Sequence, residues 1–424
     1  MNRAEETQWP EAPGAGALGD DRWATAIHRP KTVDEVCEAV RRQAELGEAV
    51  YPQGGRTALH YGRPPARPGA AIDLAGLNRV VDYPHADMTI TVEPGITISA
   101  LGSILAEHRQ RLLIDVPQPH RATIGGAQAT AVCGPRRFGL GRARDQIVGV
   151  SFVTSEGIEV KGGGRVVKNV AGYDFPKLLT GSMGTLGVIT QMTLKVRPIA
   201  DASGLVWVRV PSAETLEGWL AGLNASATRP VAVDLLNPSA AKEIGAAAGL
   251  EADGSWVLVV GFEDNADSVA WQIDEFGREI GRRDFEVLRD ANSEALWSAL
   301  TEFQAEESGA FTCVANLRPS RVVAYLKGLA PDRWLAQAHA GNGVIHMRAV
   351  GEWTEERAGE EVDALRAAAV RDGGNLIVDR CPTNWKDRLR VWGEPRADWA
   401  LVLGIKRALD PKGLMNPGRF VVDL

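Results

Sequence analysis

A chain of 424 residues exceeds what one hydrophobic core ordinarily organises, which implies two domains or three. Its composition, 45% hydrophobic and 24% charged, is that of a globular protein, and a formal net charge of -7 excludes nucleic acid as the main partner, because a phosphate backbone demands a basic surface. The four cysteines, Cys37, Cys133, Cys313 and Cys381, form no CxxC pair, which excludes iron–sulfur and zinc motifs of ordinary spacing and points to a reducing, cytoplasmic setting.

Residues 1–23 hold no apolar h-region and read as a disordered leader. No run of eighteen apolar residues follows, so no direct membrane span is expected. From 24 to 200 the chain is dense in glycine and short β-branched runs. The spacing predicts a helix over 32–46, with Val33, Val36, Ala39, Val40 and Ala44 on one face. Strands are expected near 49–51, 70–74 and 88–95, a helix at 97–108, then strands near 146–155 and 187–196. Pro198 and the following IADASG mark a hinge. Over 201–395, strand-like runs at 205–210, 230–236, 256–262 and 311–317 alternate with helical segments, as in an α+β domain. Tryptophan usage changes at the same boundary, with none between 24 and 206. The stretch 396–424 carries a helix and ends in DPKGLMNPGRFVVDL.

Three glycine-rich stretches stand out. The first, Tyr51-Pro-Gln-Gly-Gly-Arg-Thr-Ala-Leu59, follows a strand. Paired glycines let consecutive amides face one concavity suited to a pyrophosphate, although a plain strand-to-helix turn accounts for it equally well. The second, read as a loop, is Thr123-Ile-Gly-Gly-Ala-Gln-Ala-Thr130, followed by CGPRRFG. The third, GSMGTLG at 181–187, precedes a strand instead of opening a helix, so it is not a Rossmann dinucleotide site, and the chain lacks the GxxxxGK[ST] of a P-loop.

In order, PxGGxT, IDLAGLNRVVDY with TITVEPGIT, TIGGAQATAVCGPRRFG, RDQIVGVSFVTSEG and VVKNVAGYDFPKLLTGSMGTLGVIT resemble the FAD domain of the vanillyl-alcohol oxidase, or PCMH-type, superfamily. They cover nearly all of 24–200, and KRALDPKGLMNPGRF looks like the family's C-terminal signature. Within it the resemblance is nearest to the FAD-binding subunits of bacterial glycolate oxidase, with D-lactate dehydrogenases next. This implies an α+β protein: a two-subdomain FAD-binding domain over 24–200, an α+β substrate cap over 201–395, and a return of 396–424 onto the FAD domain. It also implies that Pro52, Gln53, Gly54, Gly55, Arg56 and Thr57 hold the pyrophosphate, and that Thr123, Gly125, Gly126, Thr130 and Gly134 line the FAD. Gly184, Gly187, Val188 and Ile189 would lie near its adenine and ribose. Arg56 replaces the third glycine of the family's GGGT, and points either to a phosphate or to solvent. Many relatives attach the flavin through a histidine in or just after this loop; His60 comes slightly late, so non-covalent FAD is expected.

Oxidising a 2-hydroxy acid needs a hydride acceptor, a base for the hydroxyl proton and a cation for the carboxylate. His339-Ala-Gly-Asn-Gly-Val-Ile-His346 resembles the HxGDGNxH motif by which some 2-hydroxy-acid dehydrogenases of this superfamily bind a divalent metal. The glutamate that completes that site has no counterpart in GGNLIVDRCPTNWKD at 373–387, so no metal is expected and His346 or His339 is the candidate base. Arg318, with Arg348 as a second candidate, is expected at the carboxylate, against the simpler role of a surface arginine. Tyr173 and Lys168 either approach the flavin or serve the core. The resemblance implies an FAD-dependent subunit that oxidises glycolate to glyoxylate and passes electrons to a second flavin subunit and an iron–sulfur subunit. A stand-alone D-lactate or 2-hydroxy-acid dehydrogenase and a non-catalytic FAD-binding assembly subunit are the alternatives.

Overall fold

The computed structural model describes residues 16–164 and 172–421; Lys168 lies outside them. The first predicted helix forms as Val33–Leu46. The Thr32 hydroxyl accepts from the Glu35 amide, Asp34 and Glu35 occupy the first turn where the helix dipole favours them, and Gly47 ends it at φ 68°. Its apolar face, Val36, Cys37, Ala39 and Val40, packs with Val50 and Ile72 of a parallel three-stranded sheet ordered Ile27–His28, Gly69–Asp73, Ala49–Gln53. A second, antiparallel sheet runs in the order Glu159–Gly163, Ile147–Val153, Val188–Lys195, Thr89–Val92, Val80–Asp82.

The stretch expected as a second glycine loop is instead a helix, Ile124–Thr130. Thr123 caps it by accepting from the Gly126 amide at 3.3 Å, and Gly125 lets it press on Pro94, whose Cβ would lie 2.6 Å from a Cβ at that position. The expected hinge is tied down: Arg197–Pro198 pairs with Gln110–Arg111, the Ile199 amide donates to the Arg109 carbonyl at 2.8 Å, and Ala202 already opens a nine-residue strand.

That strand belongs to an eight-stranded antiparallel sheet, ordered Glu286–Arg289, Ala202–Val210, Trp256–Asp264, Ala232–Leu236, Trp334–His339, Val344–Ala349, Phe311–Asn316, Asn375–Arg380. The period of two sorts its side chains. On one face Val206, Val260, Ala338, Ile345 and Val378 form a core with residues of helices Ala213–Ala225, Ala266–Glu279 and Glu355–Arg371. On the other, Leu205, Trp207 and Val259 are covered by helices Pro238–Ala248 and Glu294–Glu302, but only over half of the sheet. Over the other half Val344, His346, Val314, Ile377 and Asp379 face a cavity shared with the first part of the chain. Among the described residues no helix is long and apolar enough to cross a membrane.

The chain then returns to its beginning. After helix Trp399–Leu409 the Val50 amide donates to the Leu414 carbonyl and the Asn416 amide to the Val50 carbonyl, both at 2.8 Å, so the tail extends the parallel sheet at its Ala49–Gln53 edge. Lys406, buried, fastens it through Asp410 and the carbonyls of Thr185 (2.8 Å) and Met415 (2.9 Å).

Candidate cofactor and active site

Strand Ala49–Gln53 runs directly into Gly54 and Gly55, which lie against the segment before the second glycine helix. A Cβ on Gly54 would sit 2.1 Å from Thr123 Oγ1, and one on Gly55 1.8 Å from the Arg121 carbonyl oxygen. The two backbones can approach this closely only without side chains. Arg56 follows at φ 58°, the left-handed region that favours glycine, so a glycine would fit this third position without strain. Its guanidinium, at the cavity rim and still exposed, is held by Gln53 Oε1 (3.0 Å) and Asp73 Oδ2 (2.9 Å).

These elements wall a cavity of about 440 Å³, within the range of cofactor and ligand sites. The whole of Pro52 to Thr57 lines it, as do Thr123, Gly125, Gly126, Thr130, Gly184, Gly187 and Ile189. Val188 is buried in the sheet, and Gly134 is packed on the Asp115 side chain, so these two do not line it. Protein touches Gly126 lightly: a Cβ there would meet only Thr123 Oγ1, at 3.4 Å, and would otherwise fill the cavity. Bare backbone, amides and hydroxyls along one wall fit the pyrophosphate and flat rings of FAD.

The facing wall carries side chains. His346 and Asn316 project from the sheet, and His60, Tyr61, Arg137, Asp379 and Arg380 complete it. Asp379 and Arg380 are consecutive yet both line the cavity, because a bulge opposite Thr312 and Cys313 breaks the alternation of the last strand. Burial pushes the Asp379 carboxyl above its ordinary range. Burial, then the charges of Arg380, Lys386 and Arg419, push His60 down to about 3; its Nε2 lies 3.9 Å from Asp379. Buried Lys386 pairs with Asp20 and donates to the carbonyls of His60 (2.6 Å) and Gly62 (2.8 Å), holding that turn against the cap. Arg137 has one side-chain hydrogen bond, to Cys133 Sγ at 3.2 Å, and its Nε is buried without a partner.

The histidine hairpin forms between strands Trp334–His339 and Val344–Ala349, with ring centroids 5.2 Å apart and planes at 67°. The rings occupy different places. His346 lines the cavity; burial, then His339 and Arg137, push its pKa to about 3, so the imidazole is neutral. His339 lies behind it, 2% exposed, with Nδ1 2.8 Å from Asp234 Oδ1. Neither Nε2 has a hydrogen-bond partner among the described residues. Among the described residues no group of three or more His, Cys, Asp or Glu is placed to hold a metal ion.

The arginines considered from sequence lie elsewhere. Arg318 is exposed and donates to the Asp372 carbonyl from Nε (3.2 Å) and Nη2 (3.0 Å); it does not reach the cavity. Arg348 is buried against Phe303 and paired with Glu243, and Tyr173 is 84% exposed outside the cavity. Sequence reasoning missed Arg137, Asp379, Arg380 and Asp234. A usable signal existed for Arg137 alone, which stands in the CGPRRFG that follows the second glycine motif. Its neighbour Arg136 joins the two walls, bonding Asp115 (2.7 Å) from the first half and Glu263 (2.7 Å) from the second, with its guanidinium 3.6 Å from the Trp297 ring centre.

A glycine-walled cofactor cleft, faced by a neutral imidazole from the cap and by the Arg137 guanidinium from the first half of the chain, fits a flavin-dependent oxidoreductase. Comparison with known proteins agrees. Residues 24–163 match the FAD binding domain family, and residues 392–420 match the C-terminal domain of FAD linked oxidases. The chain is 28% identical to a D-2-hydroxyglutarate dehydrogenase of Xanthomonas citri pv. viticola, over 94% of this chain and 90% of that one. It is 36% identical to a glycolate oxidase subunit of Escherichia coli (strain K12) over 152 residues, 36% of this chain and 43% of that one. Its fold superposes on that of p-cresol methylhydroxylase with a TM-score of 0.70 at 16% identity, covering 94% of this chain and 88% of the other. The chain thus carries an FAD binding domain and the C-terminal domain of FAD linked oxidases on a p-cresol methylhydroxylase-like fold, and FAD is its cofactor.

Proposed function

We propose that this chain oxidises a small 2-hydroxy acid to the 2-oxo acid, with glycolate to glyoxylate as the reaction and a second flavin subunit and an iron–sulfur subunit as the route for electrons. One observation carries the reading: Arg137 and His346 face the same glycine-lined cavity, close enough for the charge of one to act on the other. A substrate carboxylate on Arg137 forms charge-assisted hydrogen bonds and brings the adjacent hydroxyl toward His346, whose neutral ring takes the hydroxyl proton. FAD, when bound, supplies the acceptor for the hydride from the α-carbon. The two similar enzymes named above, a D-2-hydroxyglutarate dehydrogenase and a glycolate oxidase subunit, support this substrate class. Electron transfer to partner subunits is supported by the 36% identity, over 152 residues, to a protein that is itself a glycolate oxidase subunit.

The test is anaerobic mixing of the FAD-loaded chain with glycolate, D-lactate or D-2-hydroxyglutarate while its visible absorption is recorded. Bleaching of the flavin is expected, and His346→Ala should slow it by about 10²- to 10⁴-fold with the flavin still bound. Flavin that no 2-hydroxy acid reduces, with or without the partner subunits, would overturn the proposal in favour of an assembly role.

A further inference from the structure

We infer that Asp234 is a positioning residue for this reaction, fixing through His339 the tautomer that allows His346 to accept the substrate proton. The inference rests on His346 being the base. Asp234 stands opposite His339 in the register of strands Ala232–Leu236 and Trp334–His339, and Gln337 stands opposite His346 on the next strand. All four side chains share the sheet face that ends in the cavity, so a polar row runs across three strands from the interior to the site.

The interior end of the row is a buried carboxylate against an imidazole, Asp234 Oδ1 lying 2.8 Å from His339 Nδ1. Asp234 is fully buried, and among the described residues its one ion-pair partner is His339. Its Oδ2 accepts from Gln337 Nε2 at 2.6 Å; Gln337 Nε2 also donates to the Leu300 carbonyl at 3.0 Å. An ionised carboxylate only accepts, so a hydrogen lies on His339 Nδ1, and a ring that carries this one hydrogen offers Nε2 as a bare acceptor. That ring is held between Asp234 on one neighbouring strand and His346 on the other, in edge-to-face contact with the latter. The groups facing His346 are then His339, anchored by Asp234, and Arg137, which the substrate carboxylate neutralises. FAD, when bound, would take the hydride from the α-carbon; as the hydroxyl gives its proton to His346 and the C–O bond becomes C=O, the new imidazolium would have beside it a ring with a lone pair instead of a second N–H. This is the base-and-orienter logic of other acid–base sites, built on a sheet face.

Asp234→Asn tests this in the full, FAD-loaded chain. Gln337 still requires an acceptor, so the Asn oxygen stays with it and the Asn amide turns to His339 Nδ1, reversing the tautomer. The expected result is a fall of about 10²-fold or more in the rate of flavin reduction by glycolate, with KM and flavin content within about twofold of wild type. Nitrogen-15 NMR of the histidine rings gives a reading independent of turnover: the His339 hydrogen sits on Nδ1 in the wild type and on Nε2 in Asp234→Asn. Should that variant not fold, Asp234→Glu should keep both tautomer and rate, and His339→Gln should lose the rate by about the same 10²-fold. An unchanged tautomer, or Asp234→Asn working at the wild-type rate while His346→Ala is inactive, would overturn the inference and leave the proposed function standing. A wild-type flavin that no 2-hydroxy acid reduces would overturn the proposed function instead, with the tautomer still deciding what Asp234 does.

Discussion

On the cofactor wall of the cavity Gly54 and Gly55 bring two backbones within reach of one another, and the surface offered to the ligand is main chain and hydroxyl. On the substrate wall the surface is side chain, with His346, Arg137 and the pair Asp379 and Arg380 reaching in from three elements. A backbone wall tolerates change at few positions but fails completely at those. A side-chain wall can lose one group and keep its shape, because each strand is held by its neighbours. Substitutions on the two walls should therefore separate flavin binding from turnover.

The largest effect is expected where the walls meet. Arg136→Met leaves Asp115 and Glu263 without their shared cation, and removing one partner from a buried ion cluster costs about 3–5 kcal/mol, read as a lowered unfolding midpoint. Burial opposes the charge on Glu263, but Arg136 and Arg111 outweigh it and hold its carboxyl below the usual range. The stability this supplies is present above the unfolded carboxylate pKa and is lost as pH falls through the lowered value. In Arg136→Met the acid-side loss should begin at higher pH. Next comes the backbone wall. Gly55→Ala sets a methyl 1.8 Å from the Arg121 carbonyl oxygen. Overpacking of about 1–3 kcal/mol should part the loops and cut flavin occupancy roughly ten- to hundredfold, measured by the absorbance ratio of flavin to protein.

The side-chain wall should respond differently. Arg137→Met removes a charged hydrogen-bond donor worth about 1.5–3 kcal/mol, so kcat/KM should fall roughly ten- to hundredfold, chiefly through KM, with full flavin content. A variant that loses flavin instead would move Arg137 to the cofactor wall. Smaller still is the effect of pH. His346 and His60 are each lowered to about 3, so the folded protein leaves them neutral where the unfolded chain begins to bind protons, near about 6.5. Stability should fall as pH drops below that value, and kcat/KM should show no histidine inflection near it. An inflection there would mean that the base has an ordinary pKa and is not the buried His346 ring.

The same contrast governs what the sequence reveals. Gly54, Gly55, Gly125 and Gly184 are legible because a backbone wall is written in contiguous residues of one unmistakable type. Even there Ile124–Thr130 reads as a loop, since its helix depends on the Thr123 cap and on contact with Pro94. The hairpin of His339 and His346 is legible from its Gly-Asn-Gly turn. The carboxylate that meets His339 is not, because Asp234 stands 105 residues before it, on a strand that only the fold brings alongside. Arg380 is hidden for another reason: strand alternation assigns it to the face opposite Asp379, and only the bulge reverses that.

Arg318 gives the finest test of the division, because its sequence position suggests the carboxylate clamp and its geometry does not. It follows the strand Phe311–Asn316 that carries Val314 and Asn316 into the cavity. The chain turns away at Leu317, whose amide bonds the Gly343 carbonyl, and the Arg318 guanidinium folds back on the Asp372 carbonyl in solvent. Arg318→Ala should cost no more than about 0.5 kcal/mol of stability and leave kcat, KM and flavin content at wild-type values. A rise in KM of about tenfold, the loss of 1.4 kcal/mol of binding, would return the carboxylate to Arg318 and require that turn to swing inward when substrate binds. An unchanged KM, set beside a raised one in Arg137→Met, would place substrate recognition on the short helix that follows the second glycine motif, at the seam between the two walls.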